Sequence, residues 1–157
     1  RNTTEALCQE FYRRWGGQIK EARQTVFFYG DASGNRADTR SRLTDYLIVK
    51  RELRPLLTNY SDRTQMQNPP VGKRRDWINN ILEEKYQIRV VIDEKCENTI
   101  ADFVYLKQDK NGKKHKEVVT DPQTRVSYEK YGHTSDTADY LLTTALSNEF
   151  ERFCSDQ

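Results

Sequence analysis

The stretch HTSDTADYLLTTALSNEFERF, residues 133–153, organises the reading of this chain. Ala138, Leu141, Leu142, Ala145, Leu146, Phe150 and Phe153 recur at the i, i+3, i+4, i+7 spacing of a helix with one buried face. Thr134 or Ser135 is placed to cap its start. Asp136 and Asp139 lie one turn apart, so they project from similar sides. His133 stands just before the cap. The partial positive charge of a helix start keeps a carboxylate ionised there. Such an acid is either ordinary compensation of the helix dipole or, where other acids face it, a metal ligand.

Working outward, two short apolar runs deliver an acid at their ends. TVFFY, residues 25–29, has the composition of a buried strand and runs into Gly30-Asp31-Ala32-Ser33-Gly34. Small neighbours let a ligand or phosphate approach the backbone around Asp31, although an Asp opening a turn is common. QIRVVI, residues 87–92, is the clearest strand pattern in the chain and ends on Asp93, followed by Glu94. Adjacent strand residues point oppositely, so either acid can be the inward one.

Between these runs, DYLIVKREL (45–53) reads as a second strand and Thr58 to Met66 as a third, which together with the first suit an antiparallel meander. Helical spacing appears from Thr3 to Trp15, ended by Gly16-Gly17, from Lys73 to Tyr86, and from Cys96 to Leu106. Lys73, Arg74 and Arg75 open the second of these helices, as a solvated basic face or a phosphate contact. KQDKNGKKHK (107–116) carries Lys107, Lys110, Lys113, Lys114 and Lys116 around Asn111-Gly112, the signal of a type I′ hairpin. Val118-Val119 is expected to close that hairpin. Its lysines are a solvated loop or a contact to a nucleic-acid backbone. Arg36 and Arg40 add charge in a polar loop after Asp31.

A chain of 157 residues normally makes one domain with one core. The net charge of +2 excludes little, because nucleic-acid binding needs local basic patches. Cys8, Cys96 and Cys154 form no CxxC pair, so neither a disulfide framework nor a zinc ribbon is indicated, and a reducing cytoplasmic setting fits. No apolar run approaches the ~20 residues of a membrane span, and no membrane partner is expected. No secretory leader pattern is present. The chain opens on Arg1 without a methionine, as a piece of a longer protein would. No GxxxxGK[ST] pattern occurs, so ATP hydrolysis is not expected of this piece.

The expected architecture is α/β: a central mixed sheet flanked by helices, with an added basic hairpin. In such a sheet the ends of the strands bearing Asp31 and Asp93 can be neighbours, with the last helix laying Asp136 across them. Three converging carboxylates need cations. Oxygen ligands with no Cys and at most one His point to Mg²⁺ or Mn²⁺. Two such ions about 3.5–4 Å apart can clamp both oxygens of a phosphodiester displacement.

FFYGDASGNRADTRSRLTDY, VVIDEKCENTIADF, the basic Asn-Gly hairpin and GHTSDTADYLL together resemble the C-terminal nuclease domain of the large terminase subunit of tailed double-stranded DNA bacteriophages. The resemblance spans Val26 to Phe150. It implies an RNase H-like (RuvC-like) fold over residues 25–153, with residues 1–24 as junction or first helix. It also implies an endonuclease that cuts concatemeric viral DNA during packaging, with two Mg²⁺ or Mn²⁺ ions. Asp31, Asp93 and Asp136 would be the metal ligands, and His133 an auxiliary ligand or proton-transfer group. Asp139 would be a supporting acid or simply solvated. The implied partners are double-stranded DNA, an ATPase domain of the same full-length protein, the portal protein and the small terminase subunit, in host cytoplasm at the procapsid. Two other readings stay open: a non-catalytic nucleic-acid-binding module using the lysines, and a protein-interaction domain whose acids only cap and turn.

Overall fold

The computed structural model describes residues 3–36 and 43–156. It is a mixed α/β structure with small sheets, and it divides into two compact units, Arg1–Asn68 and Pro69–Gln157. Arg40 and most of the polar loop around it lie outside the described residues.

In the first unit, α1 spans Thr4–Glu21, with the Thr3 hydroxyl accepting the Ala6 N–H at 3.2 Å. The helix runs through Gly16-Gly17 instead of stopping there. A glycine costs a helix about 1 kcal/mol relative to alanine. Burial of Ile19, three turns beyond Cys8 on the same face, offsets that cost. The buried stripe is therefore Cys8, Phe11, Tyr12 and Ile19, while Leu7 and Trp15 are exposed.

β1 (Thr25–Phe28) turns Val26 and Phe28 inward and leaves Phe27 half exposed under the Arg63 guanidinium, 5.5 Å away. It pairs in parallel with β2 (Asn59–Asp62), Phe28 opposite Asp62, so the expected antiparallel meander is not formed. A parallel pair needs a crossover, and the segment with the look of a second strand supplies it. Asp45–Leu53 is a helix, α2, capped by Thr44 and burying Tyr46, Val49 and Leu53. Those positions are three and four apart, and this burial outweighs the strand preference of Ile48 and Val49. Cys8, Ile19, Val49, Leu53 and Leu57 form the core.

The second unit begins with α3 (Val71–Leu82), which follows Pro69-Pro70 and buries Trp77, Ile78 and Ile81. The strand expected over QIRVVI is not formed: Gln87 ends a short 3-10 turn at φ 57°, and among the described residues 88–93 pair with no strand. Ile88 and Val90 pack on the core while Val91 is 80% exposed. The two-residue alternation is thus satisfied against helices instead of within a sheet.

α4 spans Glu97–Tyr105. β3 (Lys107–Gln108) and β4 (Lys114–His115) form the expected basic hairpin, antiparallel. Its turn is not type I′, because only Gly112 takes positive φ, at 77°. The Gly112 N–H reaches the Asp109 carbonyl at 3.0 Å, which gives a type I turn followed by a left-handed glycine. Val118-Val119 does not close this hairpin. β5 (Val118–Thr120) pairs instead with β6 (Ser127–Glu129) in a second one.

The last stretch is two helices: α5 (His133–Ala145) and α6 (Ser147–Ser155), separated at Leu146 with φ −113° and ψ 41°. The break re-aims Phe150 and Phe153 into the cluster of Trp77, Ile78 and Ile81. Among the described residues the strands form three two-stranded sheets, with no larger central one. No described helix is long and apolar enough to cross a membrane.

Candidate functional site

The start of α5 is fixed from outside the helix. Gly132 precedes it at φ 109°, and neither Thr134 nor Ser135 acts as the N-cap. Asp102 of α4, 4% exposed, accepts the N–H groups of Gly132 (2.9 Å), Thr134 (2.9 Å) and Ser135 (3.0 Å) and the Thr134 hydroxyl (2.7 Å). Burial pushes this carboxyl up, but the four bonds outweigh it and hold Asp102 below the usual carboxylate range. Sequence reading missed Asp102, since its only local signal is a polar residue beside the apolar positions Ile100, Phe103 and Val104.

With its start fixed, α5 aims Asp136 and Asp139 at one place. The Lys114 ammonium, brought by β4, lies 2.8 Å from Asp139 Oδ2, 3.1 Å from Asp136 Oδ1 and 3.1 Å from Ser135 Oγ. One cation is thus held by three oxygens. Arg74, a buried residue of α3, closes the other side: its Nε is 3.5 Å from Asp139 Oδ2 and its Nη2 3.9 Å from Asp136 Oδ1. The same guanidinium lies 4.6 Å from the centre of the Tyr140 ring. Arg74 is therefore not part of a solvated basic face.

Asp139 is 2% exposed. Burial pushes its carboxyl up, Lys114 and Arg74 pull it back incompletely, and the charge of Asp136 adds to the rise. Lys116 Nζ stands 3.1 Å from both Asp136 Oδ2 and Glu129 Oε2, and these acids hold its ammonium above the ordinary range against the effect of burial. His133 Nε2 faces Glu129 at 3.4 Å, with most of its ring in solvent.

The other residues singled out from the sequence are placed as follows. Asp93 and Glu94 are exposed, and Asp93 holds the Lys95 N–H in a local turn at 2.8 Å. Among the described residues no three His, Cys, Asp or Glu side chains are grouped to hold a metal, so Asp93 does not join Asp136 and Asp139. In the other unit, Asp31 follows β1 and caps a short 3-10 turn, accepting the Ser33 N–H and the Asn68 amide, both at 2.7 Å. The space left by Gly30 and Gly34 is filled by the Tyr46 ring, whose hydroxyl donates to the Asp31 carbonyl, so it is not open to a ligand. Asp62, at the end of the partner strand, pairs with Lys50 at 2.6 Å. Sequence reading missed it too.

Of the proposed DNA contacts, Arg36 is exposed and Lys73 is half-buried. Arg75 donates to the Gly112 carbonyl at 3.1 Å, tying α3 to the hairpin turn. Lys107, Lys110 and Lys113 make no ion pair among the described residues.

The chain matches no family model, no curated protein and no solved structure.

Proposed function

We propose that this chain is a metal-dependent DNA endonuclease of RNase H-like fold, the nuclease part of a phage terminase large subunit. The observation that carries this reading is that Asp136, Asp139 and Ser135 converge three oxygens on one point, the Lys114 ammonium. Two carboxylates and a hydroxyl are the donor chemistry of a hard cation such as Mg²⁺ or Mn²⁺. The Lys114 ammonium stands in that position. Asp136 and Asp139 would hold the metal there. A bound ion of this kind supplies charge stabilisation and a more acidic water for phosphodiester hydrolysis.

The chain's own groups have separate tasks. Asp102 fixes the register of α5 and hence the direction of both acids. Lys114 and Arg74 partly offset the cost of burying the Asp139 carboxylate. Lys107, Lys110 and Lys113 hold the DNA backbone without being withdrawn from an internal partner. The exposed His133 imidazole, beside Glu129, would serve proton transfer. By the same reading the partners are double-stranded DNA, an ATPase domain of the full-length protein, the portal and the small terminase subunit, at the procapsid in host cytoplasm.

A second reading has its own observation. Asp136 and Asp139 are already balanced by Lys114, Lys116 and Arg74, so a nucleic-acid-binding module without metal is electrostatically complete.

Plasmid cleavage under Mn²⁺, Mg²⁺ and EDTA separates the two. Nicking and linearisation that need metal, and that fall by at least about 10²-fold in Asp136→Ala, support the nuclease. DNA retained in EDTA with no cutting under any metal supports the binding module.

A further inference from the structure

We propose that the cleft bounded by α3, the end of α4 and the β3–β4 hairpin binds one unpaired nucleotide of a DNA strand; this deepens the nuclease reading and rests on it for its biological role. The cleft has a volume of about 220 Å³, below the ~300–1,000 Å³ of pockets for drug-sized ligands. That space admits one base, with its sugar and phosphate left at the open side.

Its walls divide into two chemistries. Ile78 and Leu82 of α3, Phe103 of α4 and Leu106 just beyond it supply the apolar lining. The amides of Asn79 and Gln108 stand at its edge. Five cationic side chains line the cleft against two carboxylates. The carboxylates are committed, Asp102 to the α5 backbone and Asp139 to Arg74 and Lys114. Three of the cations are committed as well: Arg74 and Lys114 to the acids of α5, and Arg75 to Gly112 and Asp76. Lys107 and Lys113 remain at the mouth without an ion pair among the described residues.

An apolar lining beside two uncommitted ammoniums fits a ligand with a flat apolar part and an anionic part joined by a short link. Bare phosphate has no use for the apolar lining, and an apolar group has no use for the lysines. A paired base in a duplex cannot lower its face onto Phe103. An unpaired base can stack there and offer its edge to side-chain amides, while its phosphate stays at the lysines. Ser135, Asp139 and Lys114 line the same cleft. It is therefore continuous with the three-oxygen seat, and the captured nucleotide lies next to the cation position.

The test is calorimetry on the full 157-residue chain in EDTA, with deoxyadenosine 5′-monophosphate, deoxyadenosine and inorganic phosphate as separate probes. The nucleotide is expected to bind at least about tenfold more tightly than either of its parts. Lys107→Ala with Lys113→Ala should weaken the nucleotide about tenfold and leave deoxyadenosine unchanged. Leu82→Asp, at a side chain 43% exposed, should abolish nucleotide binding in protein whose far-UV circular dichroism shows it folded at the assay temperature. A hairpin-capped duplex with a single-stranded overhang should displace the nucleotide, and the same duplex without the overhang should not. Equal affinity for nucleotide and phosphate, or indifference to Leu82→Asp, overturns the proposal and leaves a plain anion surface. Nucleotide binding in a chain that cuts no plasmid keeps the cleft and removes the nuclease, whereas cutting without nucleotide binding does the reverse.

Discussion

Asp102 shows how one side chain can set the geometry of a site it does not enter. It supplies the acceptors for three backbone N–H groups that the start of α5 cannot satisfy within the helix. Removing it leaves buried donors unpaired, each costing about 1–3 kcal/mol. Asp102→Ala is therefore expected to lose roughly 2–4 kcal/mol in urea unfolding. The pH dependence has a definite sign. The folded carboxyl titrates below its ordinary value of about 3.9. Its stabilisation is complete above that pH and is lost as pH falls through the folded value. The stability gap between the native chain and Asp102→Asn should be full at pH 7 and should shrink below about pH 4. A gap that widens in acid would contradict the capping role. Asp139 behaves oppositely, because burial raises it, so its ionisation opposes folding as pH rises through its window.

At the level of elements, the hairpin divides its lysines by direction. Lys114 and Lys116 of the returning side point at Asp136 and its neighbours, while Lys107, Lys110 and Lys113 stay uncommitted. Replacing these three by alanine should flatten the dependence of log DNA affinity on log salt by about 0.9 for each phosphate no longer neutralised. Replacing Lys116 should change that slope less, because its charge is already engaged by Glu129 and Asp136. Fluorescence anisotropy across a salt series reads both. The hairpin itself is legible from Asn111-Gly112, and α3 and α4 from their apolar spacing, because these signals are local. The spacing of Asp136 and Asp139 also announces that they share a side. Their partners are not legible: Arg74 and Lys114 come from elements far apart in sequence, and no local pattern fixes that meeting. DYLIVKREL reads as a strand because Ile48 and Val49 favour one, although Tyr46, Val49 and Leu53 already carry the helical period. QIRVVI keeps its alternation but lacks a pairing strand among the described residues, and pairing depends on the rest of the chain.

At the scale of the molecule, apolar burial among the described residues is gathered into two clusters, one around Val49 and Leu53 and one around Trp77 and Ile81. The first of them contains Cys8, 5% exposed, whereas Cys96 is exposed. Only a thiolate attacks an alkylating reagent. Burial, with Glu52 and Glu5 nearby, pushes the Cys8 thiol above its ordinary range. In folded protein, iodoacetamide at pH 8 should modify Cys96 first, with Cys8 reacting only when the first cluster opens. Peptide mass mapping over time separates the two sites, and equal rates would mean that Cys8 is not shielded. Leu53→Ala, which thins the same cluster, should speed the Cys8 reaction about tenfold for each ~1.4 kcal/mol of stability lost. A sulfur atom placed for packing thus serves as a built-in clock for how often that half of the chain breathes.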